Sequence, residues 1–314
     1  MPKPGDPPQR VGQWLFFRVC GGLIRLLLRL VRATSPETFQ RVARPVVRLF
    51  LAVAVSRRRL LAVMDAALGD SWTAAARLGL ARDVQRQCAD AVVDSLIHIG
   101  RPERLREVLG IRGLEHLDAA LSRGRGVIAL SFHLGNFLLV GAGLRLHGHS
   151  VHCLFRFLED RKFNELVLNG SGCFFAGLIP SIPRRDAVGK ILAVLRDNRT
   201  VLILGDNLKR GEVETRLFGR PVRSARGPVS LALRSGAAVL PVYVIRNDAG
   251  ALELVVEEEM KLTRTGDLHA DLQVNTDRIM ECLETLVRRY PDQWYWLTAR
   301  IPGPGEPLPP QEVA

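Results

Sequence analysis

The stretch SFHLGNFLLV, residues 131–140, sets a histidine directly after an apolar run and directly before Leu-Gly-Asn. A histidine just past a buried strand suits general-base chemistry, because its ring titrates near neutral pH. Gly135 lets a backbone or a substrate approach closely, and Asn136 is placed to cap the helix that follows. A base of this kind works best when a carboxylate orients the ring and offsets its charge. No acid follows His133 closely, and the fifth residue beyond it is Leu138. Either another carboxylate or a backbone carbonyl serves the ring, or His133 works alone, or it is a structural histidine. Asp206 is the favoured candidate, because it too ends a short apolar run, TVLILGD. Glu159 and Asp160 are further candidates. A turn-capping aspartate is the bland alternative for Asp206.

The elements that must position these groups alternate between strand and helix patterns. GVIALSF (126–132), SVHCLFRF (150–157) and TVLILGD (200–206) read as short buried strands. NFLLVGAGLRLHG, EDRKFNELVLNGSG (159–172), DAVGKILAVLRDN (186–198) and GPVSLALRSG read as helices between them. AAVLPVYVIR (237–246), a turn at NDAG and ALELVVEEE (251–259) predict a hairpin, and a last helix covers about 270–289. Buried strands alternating with helices mean an α/β domain with a mostly parallel central sheet flanked by helices. Sites in such sheets lie beyond the C-terminal strand ends. His133, Asp206 and Arg156 each sit at or near such an end, and their convergence on one edge is expected.

Before this domain, residues 65 to about 122 read as helices, with DSWTAAARLGLARDVQRQCADAVVDSLIHI starting at an Asp or Ser cap. The division expected is a helical region at 1–64, the α/β domain with its helical lead-in at 65–301, and a flexible Pro/Gly-rich tail at 302–314.

The chain of 314 residues carries a formal charge of +12, and its sequence pI is about 10.3. That excess calls for an anionic partner. QWLFFRVCGGLIRLLLRLV (13–31) locates part of it among large apolar residues. At helical spacing, Arg25, Arg29 and Arg32 all fall within about 40° of Arg18, in one stripe of an otherwise apolar helix. Burying three arginines in hydrocarbon costs several kcal/mol or more, whereas a helix lying in the interface keeps them among headgroups. Packing on the protein's own core, or a tilted span with snorkelling arginines, stays open from sequence. A second apolar stretch, RPVVRLFLAVAVSRRRLLAVM (44–64), either packs against the first or also meets lipid. Nucleic-acid binders more often carry basic charge on polar faces with aromatics for stacking, so a membrane surface is favoured and no nucleic-acid partner is expected. Five scattered cysteines without a C-x-x-C pair argue against a disulfide framework and for a reducing compartment. HGHSVH has no interleaved ligand of another type, so no metal site is expected.

Several segments, in order over roughly residues 15–300, resemble one family. SFHLGNFLLV resembles the His-x-x-x-x-acid block of the glycerolipid acyltransferase superfamily, in the His-x-Gly-Asn-aromatic-Glu form of the late lipid A (lauroyl/myristoyl) acyltransferases. FRFLEDRKFNEL, IPRRDAVGKILAVLRDN and the segment from GDNLKRGEVETRLFGRPVRSARGPVSLAL onward resemble its further blocks, and PDQWYWLTAR its C-terminal signature. Leu138 departs from the family's acid, and Phe137, Asn207 and Thr298 are milder departures.

The resemblance implies transfer of an acyl chain from an acyl carrier protein or coenzyme A thioester to a hydroxyl, with an amine as the alternative, of a membrane lipid. It implies the cytoplasmic face of a bacterial inner membrane, the thioester as co-substrate and no further cofactor. Arg156, Arg184, Arg185, Arg220 and Arg226 fall in the matching blocks, where planar guanidinium groups suit phosphate; solvated surface roles are as open for each. Trp294, Tyr295 and Trp296 either sit at the bilayer interface or pack the last helix. The contrasting reading, raised by Leu138, is a silent homologue that binds lipid or an acyl carrier.

Overall fold

A computed structural model describes residues 8–156, 164–165, 172, 174–208, 211–298, 301–303, 306 and 308. Most of the helix expected over 159–172, with Glu159 and Asp160, lies outside the described residues, as does most of the expected tail.

The chain opens with four helices: α1 (Pro8–Ala33), α2 (Pro36–Ala54), α3 (Arg57–Leu68) and α4 (Ala74–Gly100). The stretch expected as one apolar unit over 44–64 divides at Val55-Ser56, where the Ser56 side chain caps the next helix by accepting from Arg59 N–H. The cap expected at Asp70 or Ser71 is instead Thr73, whose hydroxyl accepts from Ala76 N–H. A short 3-10 turn at Gly69–Ser71 occupies the earlier position.

Leu27 and Val31 of α1, Phe39, Ala43 and Val47 of α2, and Ala89, Val93 and Leu96 of α4 form one apolar cluster. Helix α3 belongs elsewhere: Leu60 and Met64 pack in the main core under the sheet. The arginines at positions 25 and 29 are exposed on α1. Arg18 lies on the same helix, and its side chain is not among those described. Among the described residues, no helix is long and apolar enough to cross a membrane.

Beyond α4 come α5 (Leu105–Val108), β1 (Leu109–Arg112), α6 (Leu114–Leu121), β2 (Val127–Ser131), α7 (Leu139–Leu146), β3 (Val151–Phe155), β4 (Gly177–Pro180), α8 (Arg184–Arg196) and β5 (Thr200–Leu204). Then follow β6 (Val213–Leu217), β7 (Arg220–Ser224), α9 (Gly227–Ser235), β8 (Ala238–Arg246), β9 (Leu252–Val256) and α10 (Leu268–Arg289). The central sheet has the order β1-β9-β8-β2-β5-β3-β4. From β8 to β4 every pairing is parallel. Strand β9 returns antiparallel as the expected hairpin, and β1 pairs parallel with β9.

Strand β1 corrects the all-helical reading of 65–122. Four residues at a sheet edge carry too short an alternation to stand out. The separate hairpin β6–β7 also escaped the sequence reading. It turns at Phe218-Gly219, both at positive φ.

Strand β2 is buried along its whole length because helices cover both sheet faces. Its side chains alternate: Ile128 and Leu130 join the core beneath α3, α8 and α10, while Val127 and Ala129 join the core beneath α6 and α7. That anchoring on two sides fixes where the strand ends, and the candidate base follows two residues later.

His98, in the last turn of α4, is buried. Burial first, and the Arg104 charge second, push its pKa down to about 4. Unfolded, the ring takes up a proton near 6.5, so its contribution to stability is complete above that pH and declines as pH falls toward 4. Denaturant unfolding should therefore lose about 2 kcal/mol from this group between pH 7 and 5, and His98→Phe should flatten that part of the slope.

Candidate active site

Strands β2 and β5 run side by side with Ser131 opposite Leu204. Continued two residues, this register sets His133 opposite Asp206, and the two side chains meet. His133 Nδ1 and Asp206 Oδ1 are 2.8 Å apart. Gly205 makes the approach feasible, because a Cβ there would stand 2.7 Å from Leu130 Cδ1 and 3.1 Å from Phe132 Cε1.

Asp206 is an acceptor for three donors. Oδ2 receives the backbone N–H of His133 at 2.9 Å and the indole N–H of Trp294 at 3.0 Å. Its side chain is fully buried, whereas that of His133 is 28% exposed. The carboxylate is thus sealed beneath a ring that solvent can reach. Burial alone would raise the Asp206 pKa; the charge of His133 and the hydrogen bonds from His133 and Trp294 outweigh it and hold the carboxyl below its ordinary value. The Phe137 ring meets the imidazole edge to face at 5.0 Å, giving it an apolar wall.

The backbone after His133 is held from several directions. Gly135 has φ 55, and a Cβ on it would lie 2.0 Å from Val244 O. The close approach expected at Gly135 is therefore made by the protein's own backbone. Gly135 N–H donates to Gln293 O, Asn136 N–H to Val244 O, and Tyr295 N–H to His133 O.

Asn136 corrects the capping expectation. Helix α7 starts at Leu139 with no side-chain cap. The Asn136 amide turns to α4 instead, accepting from Ser95 Oγ at 2.9 Å and donating to Ala91 O at 3.0 Å. A buried amide needs both a donor and an acceptor, and α4 offers both across the loop. Nearby, Arg246 pairs with Asp94 of α4. Gln293 accepts from Arg246 N–H and donates to Arg246 O, each at 2.8 Å.

Leu138 is 38% exposed at the start of α7, and the imidazole nitrogen that an acid there would serve already faces Asp206. Arg156 follows β3 on the same sheet edge, one strand beyond β5, and is exposed. Arg184 and Arg226 converge on Glu212: Arg184 Nη1 bonds Glu212 Oε1, and Arg226 Nε lies 3.7 Å from the same oxygen. Arg185 is exposed beside Arg184. Arg220 ties the β6–β7 hairpin to α3, donating to Ala66 O at 3.1 Å. Thus the sequence candidates divide into a bonded pair, two loop residues that shape its backbone, and arginines in loops and at element ends, two of which share Glu212.

Trp294 and Trp296 are fully buried. The packing reading holds for both, and Trp294 adds the bond to Asp206, which sequence reasoning missed. Its signal was chemical: an indole N–H in a core must find an acceptor.

The fold and the pair define a class, a mostly parallel α/β protein with a buried carboxylate behind a histidine at adjacent strand ends. The family described as bacterial lipid A biosynthesis acyltransferase matches residues 12–301. The chain belongs to that family. It is 30% identical over 196 residues to a phosphatidylinositol mannoside acyltransferase of Mycobacterium tuberculosis (strain CDC 1551 / Oshkosh), covering 62% of this chain and 60% of that protein. A protein of the same name from Mycolicibacterium smegmatis is 28% identical over 197 residues, 62% of each chain. The chain therefore spans about three fifths of the length of these relatives.

Asp206→Ala would strand the buried indole N–H of Trp294 and the N–H of His133. Equilibrium denaturation should register a loss of about 2–4 kcal/mol. Leu138→Glu, at an exposed position, should stay within about 0.5 kcal/mol of wild type.

Proposed function

We propose that the chain is a membrane-associated acyltransferase that moves an acyl group from a thioester to a hydroxyl of a lipid acceptor. The observation that carries this reading is the His133–Asp206 pair, 2.8 Å apart and closed on its carboxylate side. In the reaction, His133 Nε2 takes the proton of the acceptor hydroxyl as its oxygen attacks the thioester carbonyl. Asp206 holds the ring through Nδ1 and offsets the imidazolium charge. The tetrahedral intermediate then breaks its C–S bond, and the leaving thiolate takes the proton back from the imidazolium.

Membership of the lipid A family and likeness to two phosphatidylinositol mannoside acyltransferases both support a lipid acceptor carrying sugar or phosphate. The donor class is acyl carrier protein or coenzyme A thioester, and the positive charge of the chain suits both. Arg156 and Arg185 are exposed basic groups that suit phosphate, whereas Arg184 and Arg226 share Glu212. Asp206 takes the place of the family's missing acid, which favours an active enzyme over a silent lipid-binding homologue.

Membrane association rests on α1 and α2. Val42, Val46, Leu49 and Val53 lie at helical spacing on α2 and are all exposed, with Leu49 at 69% and Val53 at 82%. Exposed Arg57, Arg58 and Arg59 follow at once. An apolar ridge flanked by arginines suits an anionic bilayer surface of the cytoplasmic leaflet.

Acyl transfer from a radiolabelled thioester in detergent–lipid micelles tests the chemistry. His133→Ala should lose about 10³-fold or more, Asp206→Asn a comparable factor, and Leu138→Glu less than about threefold. A silent wild type awakened by Leu138→Glu would overturn the assignment of Asp206. Separately, Leu49→Asp with Val53→Asp should reduce co-sedimentation with anionic liposomes at high salt, where apolar insertion outlasts electrostatic attraction.

A further inference from the structure

The segment Gln293–Trp294–Tyr295 touches both halves of the catalytic pair. Tyr295 N–H donates to His133 O at 2.9 Å, and Gln293 O receives Gly135 N–H at 2.8 Å. Between them Leu134 and Trp294 form an antiparallel bridge. This fixes the Trp294 backbone against the loop that carries the base, while its indole reaches Asp206 on the next strand.

The indole cannot swing away. It packs against Trp296, with ring centroids 4.9 Å apart, and against Phe218 at 6.3 Å. It is fully buried, so the Nε1–H has no water to turn to. Trp296 offers a contrast within the same cluster. It is equally buried, but its Nε1 donates to Pro291 O at 2.8 Å, away from the pair.

We infer that Trp294 is a positioning residue for the reaction, resting on the acyltransferase reading above: its indole N–H fixes the rotamer of Asp206 and draws charge from Oδ2. The carboxylate has two oxygens, and the N–H bonds from Trp294 and His133 hold Oδ2 so that Oδ1 points at the imidazole. Without the indole donor, the carboxylate turns more freely and concentrates its negative charge. The first effect costs turnover, and the second stabilises the imidazolium.

The test uses full-length wild type, Trp294→Phe and Trp296→Phe, each in lipid micelles. Trp294→Phe keeps an aromatic ring in the cluster and removes the donor. Its kcat should fall about tenfold with KM for the thioester little changed. The acid limb of its pH–rate profile should move up by roughly half a unit. Trp296→Phe should lose comparable stability and keep the wild-type limb. An NMR titration of the His133 ring gives a readout that needs no turnover, and its midpoint should rise in Trp294→Phe alone. Unchanged kcat and titration in Trp294→Phe would overturn the inference, as would an equal shift in Trp296→Phe. Absence of turnover in wild type would instead count against the acyltransferase reading, and the titration would still decide the role of Trp294.

Discussion

The site depends on the parallel register between β2 and β5. One pairing, Ser131 with Leu204, fixes His133 opposite Asp206. A slip by one residue would turn every side chain of the slipped strand to the opposite face of the sheet. The register is protected because both strands are buried and their apolar side chains fill two separate cores. An ionised carboxylate at such depth would cost several kcal/mol if left without partners. Asp206 avoids this with three donors, two of them from the residue it serves. The interaction that satisfies the buried charge is the same one that orients the imidazole.

The loop beyond His133 is held by two elements far apart in sequence. Helix α4 holds Asn136 through Ser95 and Ala91. The segment at 293–295 holds Gly135 and His133 by backbone bonds. This accounts for Leu138. The imidazole nitrogen that would face an acid on α7 already faces Asp206, so the position is left to solvent and to packing. The loss of an acid in the local motif therefore says little about the competence of the pair.

The N-terminal helices share this framework. Helices α1 and α2 pack on α4, and Arg44 and Arg48 of α2 reach the buried Asp90 of α4. Arg44 also lies 3.9 Å from Asp94, which is paired with Arg246 at the end of β8. The helices proposed to meet lipid are thus joined by charge pairs to the helix that braces the site loop. Helix α3, continuous in sequence with them, belongs to the main core instead.

Much of this was legible in the sequence. Apolar runs bounded by Gly, Asn and Asp marked the buried strands and the ends of α9 and of the β8–β9 hairpin, because burial on two faces and turn chemistry leave local signatures. His133 stood out because a polar ring directly after such a run is unusual. Asp206 could be nominated on the same ground. Short elements such as β1 and the β6–β7 hairpin were missed, since four or five residues carry too little periodicity. Asn136 read as a cap because capping is a local property, whereas its actual partners lie 41 and 45 residues away on α4. Trp294 read as packing for the same reason: its acceptor is 88 residues distant. Sequence by itself determined which residues could do chemistry and which strands they end. Tertiary structure decided which of them meet, because strand order and register are set by long-range packing that no local pattern records.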